Sequence, residues 1–386
     1  MKKKIAILGS TGSIGKQTLE IVKKNKKNFE IFLLSTNKNL KEISKQVKIF
    51  KPKNIIITNE KRFILFKKKN KKIKVFNNYG NFKKIFPEKI DYVMSAISGF
   101  DGLQPTIEII KHTKSIAIAN KESIICGWGL IQKELKKYKT EFIPVDSEHF
   151  SIWYALRNNS KENIEKLYLT ASGGPLLKIP LRKFKNLKIN NVINHPNWNM
   201  GKKISIDSAT LMNKVFEVIE AQRIFNIELK KFKILIHPNS YVHSIVKFNN
   251  GTTKILVHDT DMKIPIFNSI YQHSLKKIKT KNININLLNN LKLMKINSYK
   301  YPSTKILNKI NNTNSLFETV LISSNDELVE LYIKNKIKFL QINKILLKIL
   351  NTKKYSNLIM KKPKKISDII NLSKEVRLKT RKLCIK

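Results

Sequence analysis

The feature that most constrains the fold is an alternation of short apolar segments with helical segments over the first 150 residues. Lys4–Leu8 has the pattern of a strand, and a glycine turn leads from it into a helix from about Ser13 to Lys24. Later apolar segments, bounded by turn residues, have the character of buried parallel strands; they are Glu30–Ser35, Asn54–Thr58, Asp91–Ile97, Ser115–Ala119 and Glu141–Val145. This alternation predicts an α/β fold built on a doubly wound parallel sheet.

The glycine turn after the first strand has the sequence Gly9-Ser-Thr-Gly12-Ser-Ile-Gly15. Glycines let a backbone approach a pyrophosphate closely, and the N-terminus of the following helix offers N–H groups to it. A turn of this kind indicates a Rossmann-like dinucleotide site, although its G-x-x-G-x-x-G spacing also fits an ordinary strand-to-helix turn.

The end of the second strand favours NADP(H) over NAD(H). It continues as Ser35-Thr-Asn-Lys-Asn39 and contains no acid. An NAD site commonly places Asp or Glu there against the ribose 2′-hydroxyl, whereas a cation suits a 2′-phosphate. Lys38 is the cation in this region.

The remaining chain divides by composition. Residues 1–146 are expected to form the nucleotide-binding domain and 147–275 an α+β catalytic domain. Residues 276–300, rich in Lys and Asn, have the composition of a linker, and 301–386 are expected to form a C-terminal helical domain. In the middle part the strand candidates are Lys166–Ala171, Lys233–His237, Val242–Phe248 and Thr253–Val257, and the helix candidates are Phe150–Arg157 and Leu211–Phe225.

Three carboxylates are candidates for a cation site in a chain with few acids. Asp146 and Glu148 lie two residues apart at the end of a strand, and Glu217 lies on a predicted helix, one turn after Asn213. Carboxylates without a thiolate suit hard divalent cations, so Mg²⁺ or Mn²⁺ is expected, with Co²⁺ as a further candidate. The alternative is equally supported by spacing: Glu148 would cap a helix, and Glu217 would pair with a surface lysine.

Hydroxyl, amide and ammonium groups nearby are the donors that a phosphate monoester needs. They belong to Ser172, Ser208, Asn213 and Lys214. The alternative is that Asp207 or Ser208 caps a helix N-terminus.

The segment His195-Pro-Asn-Trp-Asn-Met-Gly201 is a candidate flap, with boundaries near 194–202. His195 and His243 can orient substrate or move protons, although a single histidine is more often a hydrogen-bonded core residue. Trp198 can close over substrate and exclude water, or it can anchor the core.

The chain is strongly basic, with 76 Lys+Arg against 27 Asp+Glu and a net charge of +49. A charge of this size can indicate nucleic-acid binding. Nearly all of the excess is lysine, however, whereas arginine is the preferred residue for bidentate phosphate contacts. The lysines are spread among Asn and Ile, which is typical of drift in an AT-rich genome at tolerant surface positions. A polyanion-binding protein remains the alternative from another class.

The compartment is predicted from two further features. Cys126 and Cys384 lie far apart in sequence and have neither a disulfide framework nor metal-ligand spacing. The apolar run after Met1 stops at Gly9, and no later run reaches the length of about 18 residues that a membrane span needs. These features predict a soluble, cytoplasmic protein.

Six segments taken together, in this order and at this spacing, resemble the 1-deoxy-D-xylulose 5-phosphate reductoisomerase family. They are the glycine loop, Asn120-Lys-Glu-Ser123, Val145-Asp-Ser-Glu-His149, Ser172-Gly-Gly-Pro175, the flap segment, and Asp207-Ser-Ala-Thr-Leu-Met-Asn-Lys-Val-Phe-Glu217. The resemblance is dense over residues 1–275 and weaker after them. It implies a homodimeric enzyme of the non-mevalonate isoprenoid pathway. Such an enzyme rearranges 1-deoxy-D-xylulose 5-phosphate and reduces the resulting aldehyde with NADPH to 2-C-methyl-D-erythritol 4-phosphate.

The resemblance also implies roles for individual residues. Asp146, Glu148 and Glu217 would hold the metal, and Lys121, Glu148, His195 and Trp198 would serve the reaction. The substrate would contact Lys121, Ser147, Glu148, Ser172, His195, Ser208, Asn213, Lys214 and Glu217. NADPH would face Thr11, Gly12, Ser13, Ile14, Asn37, Lys38, Asn39, Asn120, Glu122 and Gly201. Asn37 stands where the family commonly has glycine, and Ala171 replaces a common glycine before Ser172.

A metal-free NADP-dependent dehydrogenase on the same fold is the other enzyme that the glycine loop permits. It would leave Asp146, Glu148 and Glu217 without a common role, and its activity would not respond to a chelator.

Overall fold

The computed structural model describes residues 2–198, 200–272 and 275–384. The chain forms two compact units. The first unit consists of residues 1–124, 129–150 and 261–279, and the second of 125–128, 151–260 and 280–386.

The described residues form the following strands and helices, in chain order. The strands are β1 (Lys3–Leu8), β2 (Phe29–Thr36), β3 (Asn54–Ile57), β4 (Lys74–Phe76), β5 (Ile90–Ser95), β6 (Thr113–Ile118), β7 (Glu141–Pro144), β8 (Ile164–Ala171), β9 (Phe232–Ile236), β10 (Val242–Phe248), β11 (Thr253–Val257) and β12 (Met294–Lys295). The helices are α1 (Ser13–Lys24), α2 (Leu40–Phe50), α3 (Glu60–Lys69), α4 (Phe82–Ile85), α5 (Leu103–Ile109), α6 (Lys121–Tyr138), α7 (Ser147–Ala155), α8 (Ile189–Ile193), α9 (Lys202–Ala209), α10 (Met212–Phe225), α11 (Lys263–Tyr271), α12 (Ile285–Asn289), α13 (Leu316–Ile333), α14 (Phe339–Leu350), α15 (Lys353–Ser356) and α16 (Ile366–Cys384).

The first unit is built on a parallel sheet with the strand order β4-β3-β2-β1-β5-β6-β7 among the described residues. Every pairing in it is parallel. Its central strand β1 is buried from Ile5 to Leu8, as expected for a strand covered by helices on both faces. The predicted doubly wound α/β fold is confirmed.

The order of the strands creates a crevice beside β1. The chain moves outward from β1 through β2 and β3 to β4, and then returns to β5 on the other side of β1. Ligands of open α/β sheets bind outside the carboxyl ends of the strands at such a reversal. β4 has no counterpart among the predicted strands, because it is a three-residue edge strand whose first residue, Lys74, is exposed and gives no buried apolar pattern.

The second unit contains a mixed sheet with the strand order β11-β10-β8-β9-β12. β8 pairs parallel with β9, whereas β10 pairs antiparallel with both β8 and β11. Helix α10 packs on this sheet through Val218 and Phe225, which share a buried cluster with Leu167, Leu169 and Val246. The strands predicted for this region lie within one or two residues of those observed.

Helix α13 is the most buried element of the C-terminal helical region. It begins with a capping box, in which the Glu318 carboxylate accepts the N–H of Ser315 at 3.0 Å. Its buried residues include polar ones, Ser323, Ser324, Asn325 and Glu327 among them. The predicted helical character of the chain's last part is confirmed.

Two further observations concern the predicted organisation. Residues 276–300, expected to be a linker, contain α12 and the strand β12, which pairs with the edge strand β9. The compact units also do not follow the boundaries expected at 146 and 275, because α11 belongs to the first unit.

No described helix is both long and apolar enough to cross a membrane.

Candidate active site

The predicted nucleotide and metal residues of the first unit follow the strands of its parallel sheet. The glycine loop follows β1, Asn37 to Asn39 follow β2, Asn120 to Glu122 follow β6, and Asp146 to Glu148 follow β7. Because parallel strands end at the same edge of a sheet, all of these residues belong to the carboxyl edge.

The glycine loop is fixed by close backbone packing. Gly9 has φ +79°, and a Cβ there would lie 2.6 Å from the carbonyl oxygen of Ala96, in the loop after β5. A Cβ on Gly15 would lie 2.5 Å from the carbonyl oxygen of Gly9. The N–H of Gly9 donates to the Ser35 hydroxyl at 2.9 Å. Glycine is therefore required at both positions.

The loop leaves its helix N-terminus open. Gly12 and Ser13, at the start of α1, are exposed, and no side chain of a described residue caps this helix. Thr11 and Ile14 are half-buried, and the Thr11 hydroxyl contacts that of Thr36 at 2.8 Å. An open helix N-terminus at the reversal of strand order fits the pyrophosphate of a dinucleotide.

The residues after β2 divide between two roles. Asn37 and Lys38 are exposed at the edge. Asn39 is also exposed, but its side chain accepts the N–H of Glu42 at 3.0 Å and thereby caps α2. Lys38 therefore places an exposed positive charge just after the end of β2.

Asn120 has a structural role at the start of α6. Its side-chain amide donates to the carbonyl oxygens of Ile97 and, at 2.8 Å, Gly99, and its Oδ1 accepts the N–H of Ser123 at 2.5 Å. These bonds fasten the loop after β5 to the loop after β6. Glu122, beside it, is buried.

Lys121 and Asp146 form an ion pair, with 2.6 Å between Nζ and Oδ2. Burial is the largest single influence and by itself raises the pKa of the Asp146 carboxyl. The positive charges of Lys121 and His149 and the nearby hydrogen bonds together outweigh burial, so the pKa is lowered overall. Asp146 is therefore ionised throughout the physiological range.

The next two residues continue the acidic turn. The Ser147 hydroxyl donates to the Glu148 carboxylate at 2.5 Å, and the backbone N–H of Glu148 points to Oδ1 of Asp146 at 3.4 Å. Ser147 is buried and Glu148 is half-buried. This turn presents two carboxylates with oxygen ligands only, which is the donor set that a hard divalent cation prefers.

In the second unit, His195 is held in one tautomer. Its Nδ1 accepts the backbone N–H groups of Asn197 and Trp198 at 3.2 and 3.1 Å, and its Nε2 lies 2.8 Å from the Ser172 hydroxyl. Burial lowers the pKa of His195 to about 4. The neutral ring therefore carries its proton on Nε2, and this N–H donates a hydrogen bond to the Ser172 hydroxyl.

The Ser172 hydroxyl is oriented by its two donors. It accepts Nε2–H of His195 and the backbone N–H of Gly174, the latter at 3.0 Å. Because a hydroxyl has two acceptor positions and one hydrogen, its own O–H remains available to donate to a ligand.

The predicted flap is described except for residue 199, which lies outside the described residues. The Asn197 amide donates to the Pro238 carbonyl at 2.5 Å and to the Ser240 hydroxyl at 2.9 Å. Trp198 is half-buried and contacts the His243 ring edge to face, with 6.3 Å between centroids. Gly201 is exposed just before α9. Asn197 has no role of its own among the sequence predictions, because spacing along the chain does not show which carbonyl groups a side chain reaches.

Helices α9 and α10 carry the other predicted phosphate residues. Ser208 lies in the last turn of α9, so the alternative that Asp207 or Ser208 caps a helix N-terminus is wrong. A Cβ on Gly174 would lie 2.6 Å from the carbonyl oxygen of Ser208, which brings the Ser172 turn against the end of α9.

Glu217 is buried on α10, where the Asn213 amide donates to Oε1 at 2.5 Å and the Lys214 ammonium contacts Oε2. Lys214 is buried as well, so the alternative pairing of Glu217 with a surface lysine is also wrong.

Comparisons with known proteins agree over the whole chain. Family models match residues 5–128, described as 1-deoxy-D-xylulose 5-phosphate reductoisomerase, and 142–225 and 258–379, described as C-terminal domains of that enzyme. The reductoisomerase of Pelagibacter ubique is 59% identical over 381 residues, with 98% of each chain covered. The chain belongs to the 1-deoxy-D-xylulose 5-phosphate reductoisomerase family. It is accordingly an enzyme that rearranges and reduces this phosphosugar, as the resemblance implied.

Solved reductoisomerases share the fold. The enzyme of Zymomonas mobilis, solved with NADPH, superimposes with a TM-score of 0.88 at 26% identity and covers 100% of this chain and 99% of its own. A second reductoisomerase, solved with NADPH, fosmidomycin and magnesium, has a TM-score of 0.87 at 28% identity, with 99% and 97% covered.

The tautomer of His195 makes a prediction about pH. Since the pKa of this buried ring (about 4) lies below the ordinary value of 6.5, only the unfolded chain gains its proton as the pH falls between these values. The free energy of unfolding should therefore decrease as the pH is lowered from about 6.5 to about 4. His112, whose pKa is also lowered to about 4, contributes in the same direction. Histidine-labelled ¹⁵N NMR should show a neutral Nε2–H tautomer and a pKa near 4, with the signal assigned by its loss in His195→Gln. A pKa near 6.5 for His195 would contradict this arrangement.

Proposed function

We propose that the carboxyl edge of the parallel sheet binds NADPH, and that Asp146, Glu148 and Glu217 bind a divalent cation, Mg²⁺ or Mn²⁺, with Co²⁺ as a further candidate. The reaction rearranges 1-deoxy-D-xylulose 5-phosphate and reduces the resulting aldehyde to 2-C-methyl-D-erythritol 4-phosphate. The observation that carries the proposal is the ionised Asp146 carboxylate, which lies beside Lys121 at the same sheet edge as the glycine loop.

The chain prepares the cation ligands through neighbouring polar groups. Lys121 favours the ionised form of Asp146, and the Ser147 hydroxyl donates to the Glu148 carboxylate. Asn213 and Lys214 orient the Glu217 carboxylate from the same helix. When bound, the cation polarises a carbonyl oxygen of the substrate, and NADPH is the reductant.

Four side chains of the second unit are proposed to bind the substrate phosphate. They are Ser172, Ser208, Asn213 and Lys214. The support for Ser172 is that its oxygen accepts hydrogen bonds from His195 and Gly174, so its own O–H is available to donate to the phosphate. Phosphate binding, remote from the reacting carbons, would supply energy that holds the substrate in place for the reaction.

The flap is proposed to cover the substrate. His195, neutral and fixed by backbone N–H groups, positions Ser172, and Trp198 would exclude water from the aldehyde between the two steps. Lys121 would add a positive charge near the oxygen on which negative charge develops.

The metal assignment predicts that Glu217→Gln lowers turnover by at least about a hundredfold, because a neutral amide replaces a carboxylate ligand. Turnover is measured as NADPH absorbance with 1-deoxy-D-xylulose 5-phosphate and Mg²⁺ or Mn²⁺, with and without EDTA. The matched control is Glu228→Gln, which loses an exposed ion pair with Lys230 and should retain wild-type activity. A Glu217→Gln enzyme with the wild-type rate, or a wild-type rate unaffected by EDTA, would refute the assignment.

The coenzyme assignment predicts that Lys38→Asp lowers the preference for NADPH over NADH by about tenfold, through loss of a cation from the 2′-phosphate. Lys41→Asp, an exposed charge change of the same size on the next helix, is the control and should alter the preference little. The measurement is the ratio of kcat/KM for the two coenzymes. An equal effect of both substitutions would contradict a specific contact between Lys38 and the 2′-phosphate, because it would show only the effect of the changed net charge.

A homodimer and a cytoplasmic location are also proposed, on the support of the family resemblance. Sedimentation equilibrium of the purified enzyme should give twice the mass of one chain. A mass equal to that of one chain at micromolar concentration would refute the dimer.

A further inference from the structure

Helix α13 reaches the predicted phosphate subsite through two adjacent residues. The Asn325 amide donates to Oδ1 of Asp207 at 2.7 Å, and the Asp326 carboxylate pairs with the Lys203 ammonium at 2.7 Å. Asn325 and Asp207 are both buried. Because Lys203 and Asp207 are four residues apart on α9, both bonds hold one face of that helix.

The two ends of α9 belong to parts of the predicted site. The helix begins at Lys202, directly after Gly201 at the end of the flap, and Ser208 lies in its last turn. The carbonyl oxygen of Ser208 lies so close to Gly174 that no Cβ fits between them. The turn that orients Ser172 therefore packs directly against the last turn of α9.

Helix α13 is itself held firmly by arginines. Arg377 of α16 contacts Asp326 at 3.7 Å, Glu327 at 3.2 Å and Glu330 at 2.9 Å, and Arg381 contacts Glu327 at 2.7 Å. Asp326 thus lies between Lys203 and Arg377.

A second ionic contact joins α13 to α10. Arg223 of α10 pairs with Glu318 of α13, and both side chains are almost fully buried. Helix α13 therefore contacts both helices that carry the predicted phosphate donors, α9 through Asn325 and Asp326, and α10 through Glu318.

The connection between α9 and α10 makes their mutual orientation depend on such contacts. Leu211, between them, is buried and has φ +58°, a left-handed conformation that is unfavourable for a residue with a Cβ. The conformation persists only where the surrounding structure determines it.

We propose that Asn325 and Asp326 are positioning residues of the phosphate subsite. They fix α9 so that Ser208 and the Ser172 turn present their donors together, and they extend the influence of the C-terminal helices to substrate affinity. This inference rests on the proposed phosphate residues.

The test compares Asn325→Asp with the exchanged pair Asp207→Asn/Asn325→Asp. The single variant places two carboxylates next to each other and adds one negative charge. The exchanged pair restores one amide-to-carboxylate hydrogen bond and has the same total charge as the wild type. The readouts are the KM for the phosphosugar, the KM for NADPH and the inhibition constant of inorganic phosphate. Asn325→Asp should raise the phosphosugar KM and the phosphate inhibition constant by about tenfold and change the NADPH KM by less than about twofold.

The exchanged pair should return both phosphate-dependent constants to within about threefold of wild type. Glu330→Gln, which loses an Arg377 contact on the same helix without facing α9, should resemble wild type. Unchanged phosphosugar KM in Asn325→Asp, a parallel rise of both KM values, or failure of the exchange to restore them would overturn the proposal.

Two further variants keep the outcome interpretable. If Asn325→Asp does not yield folded protein, Asp326→Asn carries the test, and an unchanged phosphosugar KM there overturns the proposal. Ser208→Ala tests the phosphate assignment itself. If Ser208→Ala weakens phosphate inhibition and Asn325→Asp does not, the positioning role is refuted while the assignment stands. If Ser208→Ala has no effect, the assignment of Ser208 fails, and the positioning role that depends on it is overturned as well.

Discussion

The first unit depends on one constraint, which is that strands running parallel end at the same edge of their sheet. The glycine loop, Lys121 and Asp146 are far apart in sequence, yet they follow β1, β6 and β7 and therefore belong to that edge. Contacts then join each loop to the loop of the neighbouring strand. Gly9 after β1 packs on Ala96 after β5, and Asn120 after β6 donates to the carbonyl oxygen of Gly99. Lys121, also after β6, pairs with Asp146 after β7. Nucleotide binding and cation binding are thus prepared by the same arrangement of strands.

The second unit depends on buried charge. Arginine occurs at only six positions of this lysine-rich chain, and three of them, Arg223, Arg377 and Arg381, pair with acids of α13. A planar guanidinium is less strongly hydrated than an ammonium and can bond several carboxylates in fixed geometry, so the two cations are not equivalent at such positions. Lysine supplies most of the positive charge of the chain, whereas these three arginines pair with acids of which Glu318 and Glu327 are almost fully buried. Removing one partner of such a pair is costly, because it leaves a buried charge uncompensated.

The two units show different ways of activating polar groups. Asp146 is kept charged, against the effect of burial, by the Lys121 ammonium together with His149 and nearby hydrogen bonds. His195 is kept neutral by burial, and the backbone N–H groups of the flap select which nitrogen carries the proton. The Ser172 hydroxyl accepts the hydrogen bond from that N–H and keeps its own hydrogen to donate. An ionised carboxylate suits a cation and an oriented hydroxyl suits a phosphate, which is the combination that a phosphosugar reductoisomerase needs.

The α/β class, most strands and helices, and the segments that identify the family follow from the sequence alone, because hydrophobic periodicity, glycine turns and ordered motifs are local properties of the chain. The sequence could not determine β4, whose three residues have no periodic pattern, or β12, whose pairing with β9 is long-range. It also left open whether Glu217 is a buried residue or a surface ion-pair partner, and whether Ser208 begins or ends a helix. These points follow from the packing of the folded chain, as do the tautomer of His195 and the hydrogen bond between Asn325 and Asp207, which are 118 residues apart. The physical reason is that burial and hydrogen-bond partners depend on which distant segments pack together, and spacing along the chain does not contain that information.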